Sequence, residues 1–469
     1  MPVDLEEIFT GLSRHADGIP LGTAERARQR GRQRSNHQAA MLSAAVAVIL
    51  VVAGVAGALA RAQRVDHPVT PGPSPHALPE AAPPIPVRGA LRDARTVIAG
   101  GRAYTAWQDD DGTIEVNATD PRTGAVVWTQ KGVDHGATLV NLAAVSPAVL
   151  LTANTDEGGP AQQLVTVLRP SDGATLWRVT VADDDVLVPH RRMLVRWSAA
   201  TGRTDAYDWA TGAKRWSRPG GSDPLVRTMG VRAAGDVTPY SFTGDWLVQV
   251  TRSGNAQVRD IGTGDLLRTV PAGTPRAEGT ITAIDGRLFS EEGDASSGYR
   301  LRITDLSTSA GTSAVVFSED AGHALGGFDL CGADRLCLLD QEAGGRTTLA
   351  AVDLATRRTL WRVDGPENGS GVSSLGGNIL VSGDGTTVLY DTAGRSAFNI
   401  PDAQVEWLTD DKLLVLPMYA PGTVMTVATA DRGVTRLGDV PLRVGACAHT
   451  PDRLVCQTAT ALRFWSLSG

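Results

Sequence analysis

The 469-residue chain is longer than one average domain, yet a repeat fold uses such a length as a single unit. A net charge of −7 gives no sign of the strongly basic domain that a nucleic-acid partner needs, and none is expected. The 52 glycines, the frequent valine, threonine and leucine, and scant helical periodicity past the N-terminal region point to an all-β body rich in tight turns.

The N-terminal region carries the helical patterns. In residues 1–38, Leu5, Ile8, Phe9 and Leu12 stand at helical spacing behind Asp4, and Gly18 and Pro20 end the pattern. Arg26, Arg28, Arg30, Arg32 and Arg34 follow. This head reads as a topology signal lying on anionic lipid, with a docking helix for a cytoplasmic partner as the alternative. Residues 39–60 contain no charged side chain. As a helix they span roughly 33 Å at 1.5 Å per residue, enough for a hydrocarbon core of ~30 Å. Only Arg61 and Arg64 follow closely, so the arginine excess puts the N-terminus in the cytoplasm and the body outside. A cleaved signal ending near Ala58-Leu59-Ala60 is the rival reading; its apolar core is usually shorter than this run. The expectation is therefore a single-pass membrane protein that contacts lipid through residues 39–60.

Residues 61–91 include Pro68, Pro71, Pro73, Pro75, Pro79, Pro83, Pro84 and Pro86. Proline locks φ and removes a donor, so this segment is expected to be an extended polyproline stalk. Residues 85–91 are the alternative start of the body, as a strand that helps close it.

From residue 92 one pattern recurs: a strand ending in Asp, a tight turn with Thr-Gly, then a strand carrying Trp. Asp120 to Gly124 leads to Trp128, Ser171 to Gly173 to Trp177, Asp208 to Gly212 to Trp216, and Asp353 to Arg357 to Trp361. Asp260 to Gly264 leads instead to Leu266, Leu267 and Arg268, and weaker copies begin at Asp305, Asp391 and Ala430. Asp accepts backbone N–H bonds in such a turn and Gly supplies its left-handed position. The copies recur roughly every 38–52 residues, the length of a four-stranded propeller blade. A lone blade cannot cover both faces, so the tryptophans are expected between neighbouring blades.

The series of Asp-x-x-Thr-Gly-x-x-x-Trp turns resembles the PQQ-like (quinoprotein-type) β-propeller repeat family over residues 92–469. The resemblance implies an all-β propeller of four-stranded antiparallel blades, preceded here by one transmembrane helix. Eight turns are present, plus a final fragment at 444–467 that an N-terminal strand could complete. Eight blades are expected, with seven or nine allowed.

The four cysteines form two local pairs, Cys331 with Cys337 and Cys447 with Cys456, each bracketing an Asp-Arg-Leu turn. An even count outside the cytoplasm favours two hairpin disulfides, each contributing roughly 2–3 kcal/mol in the chain-entropy model. Asp109-Asp110-Asp111-Gly112 reads as a solvated turn rather than a calcium loop. The eight histidines are scattered, so no metal ligand is expected.

The resemblance also implies one catalytic alternative, a dehydrogenase holding pyrroloquinoline quinone with calcium near the axis. The adjacent cysteine pair of many such enzymes is absent, and no family catalytic residue maps onto a numbered position here. The propeller is more similar to the non-catalytic branch, which includes an outer-membrane assembly scaffold. The expectation is therefore no enzyme activity, no cofactor and an extracytoplasmic protein partner, with a transmembrane ligand sensor as a further alternative.

Overall fold

The computed structural model describes residues 77–87, 92–155, 161–236, 242, 244–276, 278–294, 296–419, 422–440, 447–458 and 460–468. Every described residue belongs to one compact unit, Pro73–Gly469. The head (1–38), the apolar segment (39–60) and the first part of the stalk lie outside the described residues. Among the described residues no helix is long and apolar enough to cross a membrane.

Every regular element there is a β-strand, 36 in all, and they form nine four-stranded antiparallel blades. In chain order the blades cover 93–135, 137–182, 186–218, 225–271, 281–319, 323–364, 371–401, 403–440, and 447–466 together with 80–86. Blades 4 and 5 join into one eight-stranded sheet through a short parallel pairing of Val231 with Ala283 and Arg232 with Ile284.

The cores lie between blades, because each sheet must bury both faces. Tyr104, Ile114 and Trp128 of blade 1 meet Leu139 and Leu151 of blade 2. A comparable layer fills each following seam, and Ala82, Leu462 and Phe464 of blade 9 meet Ala103 of blade 1. The nine seams thus close on themselves. Position within a blade dictates sequence. The second strand of blade 6 is a continuous apolar run, with Leu336, Cys337, Leu338 and Leu339 all 0% exposed. Its outermost strand, Arg358–Asp364, buries no residue fully.

Among the described residues the four-stranded sheets number nine, within the expected range of seven to nine, and an N-terminal strand completes the last one, as the final fragment at 444–467 allowed. Eight blades carry the turn between their third and fourth strands, six opening on Asp and blades 2 and 8 on Arg169 and Ala428; the ninth takes its fourth strand from the other end of the body and needs no such turn. That strand is Glu80–Pro86, which pairs antiparallel with Ala461–Ser466. The stalk expected to run to residue 91 therefore stops earlier, and the body begins before residue 92. An edge strand tolerates Pro83, Pro84 and Pro86 because it pairs on one side only, and its pairing is interrupted by irregularities on both sides of Ala82.

Disulfides join Cys331 to Cys337 and Cys447 to Cys456, with Cα atoms 5.7 and 4.1 Å apart. Cys447 and Cys456 are direct cross-strand partners in blade 9. Each bond spans one hairpin.

Candidate functional site

The turn residues singled out by sequence build the frame. In blade 1 the Gly124 N–H donates to the Asp120 carbonyl at 2.8 Å, and the Asp120 carboxylate accepts the Arg122 N–H at 2.8 Å. Gly212 repeats the backbone bond to Asp208 at 2.9 Å and Gly264 to Asp260 at 2.8 Å. The Asp208 carboxylate accepts from the N–H groups of Ala210 and Thr211. The Arg215 guanidinium and those donors hold its carboxyl below the usual carboxylate range. Asp353 is held low in the same way, by the Thr356 N–H at 2.6 Å and the Thr356 hydroxyl at 2.7 Å.

Each tryptophan then reaches into the turn of the next blade. The indole N–H groups donate to carbonyls there: Trp128 to Pro170 at 2.8 Å, Trp177 to Trp209 at 2.8 Å, Trp216 to Ile261 at 3.0 Å, and Trp361 to Thr392 at 3.2 Å. At the equivalent place in blade 4, the Arg268 guanidinium donates to the Leu306 carbonyl of blade 5. These residues are distributed around the ring and converge on no common centre. They hold turns and seams in register.

A different set of residues meets over blades 4 and 5. A groove of about 620 Å³ is lined by Arg232, Asp245, Trp246, Asp285, Arg287 and Asp305, among others. The geometry follows from topology: the segment after the first strand of blade 4, the first hairpin turn of blade 5 and the Asp305 turn emerge on one end of adjoining sheets. Arg268 stacks on the Trp246 ring, 4.3 Å from its centroid.

The charged groups of the groove are already tied to the frame. Asp245 faces Arg191 at 3.1 Å and Arg192 at 3.6 Å. Asp285 accepts the Ala234 N–H at 3.0 Å, and Asp305 accepts the Ser307 N–H at 2.8 Å. Arg287 pairs with Asp334 of blade 6 at 2.7 Å. Arg232 pairs with Asp329 of blade 6 at 2.8 Å. Burial pushes the Asp329 carboxyl up, against the pull of Arg232 and the Ser374 N–H. What the groove offers is an indole and two arginines held rigidly at the rim.

Sequence reasoning placed Asp305 and Asp260 in turns but did not find this groove. Its lining comes from segments about seventy residues apart, and only the shared seam brings them together. Asp109, Asp110 and Asp111 do sit at a turn, where Asp109 accepts the Thr113 N–H at 2.8 Å.

A family model described as outer membrane protein assembly factor BamB matches residues 94–344. No curated protein matches the chain. Among solved structures, the computationally designed Ika8 protein is similar at 14% identity and a TM-score of 0.46, covering 83% of this chain and 100% of that one. BamB from Moraxella catarrhalis is similar at 13% identity and a TM-score of 0.42, covering 84% of this chain and 98% of that one. The Cps50 (Swd1) β-propeller domain of Myceliophteria thermophila follows at 11% and 0.36, covering 71% and 100%.

Proposed function

The chain belongs to the PQQ-like β-propeller family whose model bears the description outer membrane protein assembly factor BamB, and from that premise we propose that it is a non-catalytic protein-binding scaffold, tethered outside the cytoplasm by residues 39–60. The observation that carries the reading is the groove over blades 4 and 5. Tryptophan and arginine are the side chains most enriched at protein contacts, and here Trp246, Arg232 and Arg287 sit on a rigid rim. Their partners in the frame fix their positions before a partner arrives, which lowers the ordering cost of binding. The two hairpin disulfides agree with an oxidising compartment. The uncharged run 39–60 behind five arginines supports the tether.

Proximity labelling from the C-terminus of the chain in its native cell tests this reading. The expected result is a reproducible extracytoplasmic protein whose labelling falls about ten-fold in Arg287→Glu, the loss of one good rim anchor. Cytoplasmic proteins alone, or labelling indifferent to Arg287→Glu, would overturn it. Dye reduction with added pyrroloquinoline quinone and calcium is expected to give no turnover; turnover would sink the non-catalytic part.

A further inference from the structure

At the other end of the seam between blades 5 and 6, three side chains meet that neither the turns nor the groove employ. Blade 5 ends at Glu319, and blade 6 begins at His323. Asp340 lies on the second strand of blade 6, diagonal to His323, whose direct partner is Glu342. His323 Nδ1 stands 2.8 Å from Asp340 Oδ2. One donor atom from each of Glu319, His323 and Asp340 lies within 4.8 Å of the other two.

We propose that Glu319, His323 and Asp340 bind a divalent first-row transition ion, best matched by Zn²⁺, which clamps blade 5 to blade 6. One imidazole and two carboxylates are a donor set such ions accept, at bond lengths of about 2.0–2.2 Å. Two donors at that range around one ion stand about 3 Å apart, close to the spacing His323 and Asp340 already keep. The support around the ligands is in place. The Tyr299 hydroxyl of blade 5 donates to Asp340 Oδ1 at 3.0 Å, and the ion takes Oδ2 and His323 Nδ1 by releasing to solvent the proton those two atoms share. Asp340 is 3% exposed, so its orientation is held by packing. Glu319 Oε1 is shielded from solvent and accepts no hydrogen bond. Arg362 Nη2 approaches it to 2.7 Å, supplying charge without an aligned N–H. Arg362 is thus the present charge partner of that oxygen, and a cation in the cluster competes with it. Solvent completes the coordination.

The full-length chain in detergent, free of any polyhistidine tag and stripped with chelator, tests this. Zn²⁺ is titrated by calorimetry and Co²⁺ by visible absorption. The expected result is one site per chain, with a higher thermal midpoint in Zn²⁺. His323→Ala and Glu319→Gln should each weaken binding by at least about ten-fold, the smallest loss typical of perturbing a metal site, and keep a native far-UV spectrum. Arg362→Gln should tighten it. Asp340→Asn is less informative because Asp340 is buried, and the other two variants carry the test without it. No Zn²⁺ binding at millimolar ion, or wild-type binding in both variants, would overturn the site and in the second case assign the ion elsewhere.

Discussion

Gly212 has no room for a methyl group. A Cβ there would stand 2.7 Å from Trp177 Cγ, and its φ of +67° disfavours any side chain. The same holds between Gly173 and Trp128, Gly264 and Trp216, and Gly394 and Trp361. Each indole thus requires a glycine in the following blade. The rule has an informative exception: the outer strand of blade 5 carries no tryptophan, and the turn of blade 6 has Arg357 at the glycine position, with φ +58°. Where no ring presses, only the backbone penalty remains. Gly212→Ala is therefore expected to cost about 1–3 kcal/mol from overpacking and left-handed strain. Arg357→Gly should change stability by less than about 1 kcal/mol, in the favourable direction. Chemical denaturation midpoints compare the two, and equal losses would show that the indole contact is not the constraint.

Seams are the elements that carry stability here, and the one beside the groove is unusual. Arg232 ends the first strand of blade 4 and reaches past blade 5 to Asp329 of blade 6, which also accepts the Ser374 N–H of blade 7 at 2.9 Å. Inner strands of three blades thus meet at one carboxylate, 2% exposed. Such a pair is not a large net gain, because both ions lose water; removing one partner is what hurts. Arg232→Ala should destabilise by about 3 kcal/mol, since it leaves a buried carboxylate without its counter-charge. Asp329→Asn added to it should recover most of the loss, because the amide oxygen can still accept from Ser374. If thermal unfolding shows the double variant no better than the single, charge burial is not the cause.

For the whole molecule, the strand Glu80–Pro86 is a clasp. Ala82 pairs with Phe464 and packs against Gly124, so the first stretch of the body joins blade 9 to blade 1. Leu78, 2% exposed, adds a contact to the core between blades 8 and 9, and its N–H donates to the Asp439 carbonyl at 3.0 Å. Glu80 pairs with Arg463 on the neighbouring strand of blade 9. Deleting residues 77–87 should cost about 3–5 kcal/mol, from the lost burial of Leu78, Ala82 and Ile85. Calorimetry should show a lower, broader transition; an unchanged profile would mean that eight blades and a three-stranded remnant close without it.

The amino-acid order by itself determined the repeat. An Asp carboxylate bonding to N–H groups two or three residues on, and a glycine at positive φ, are local events, so the turns, the strands around them and the membership in a propeller family could be read along the chain. It also showed which cysteines are near neighbours. Only the tertiary structure decided the ninth blade, the groove and the meeting of Glu319, His323 and Asp340. Those depend on which blade lies beside which and on two distant stretches pairing to close the ring. The prolines of Glu80–Pro86 read as stalk because nothing local reveals that an edge strand pairs on one side alone.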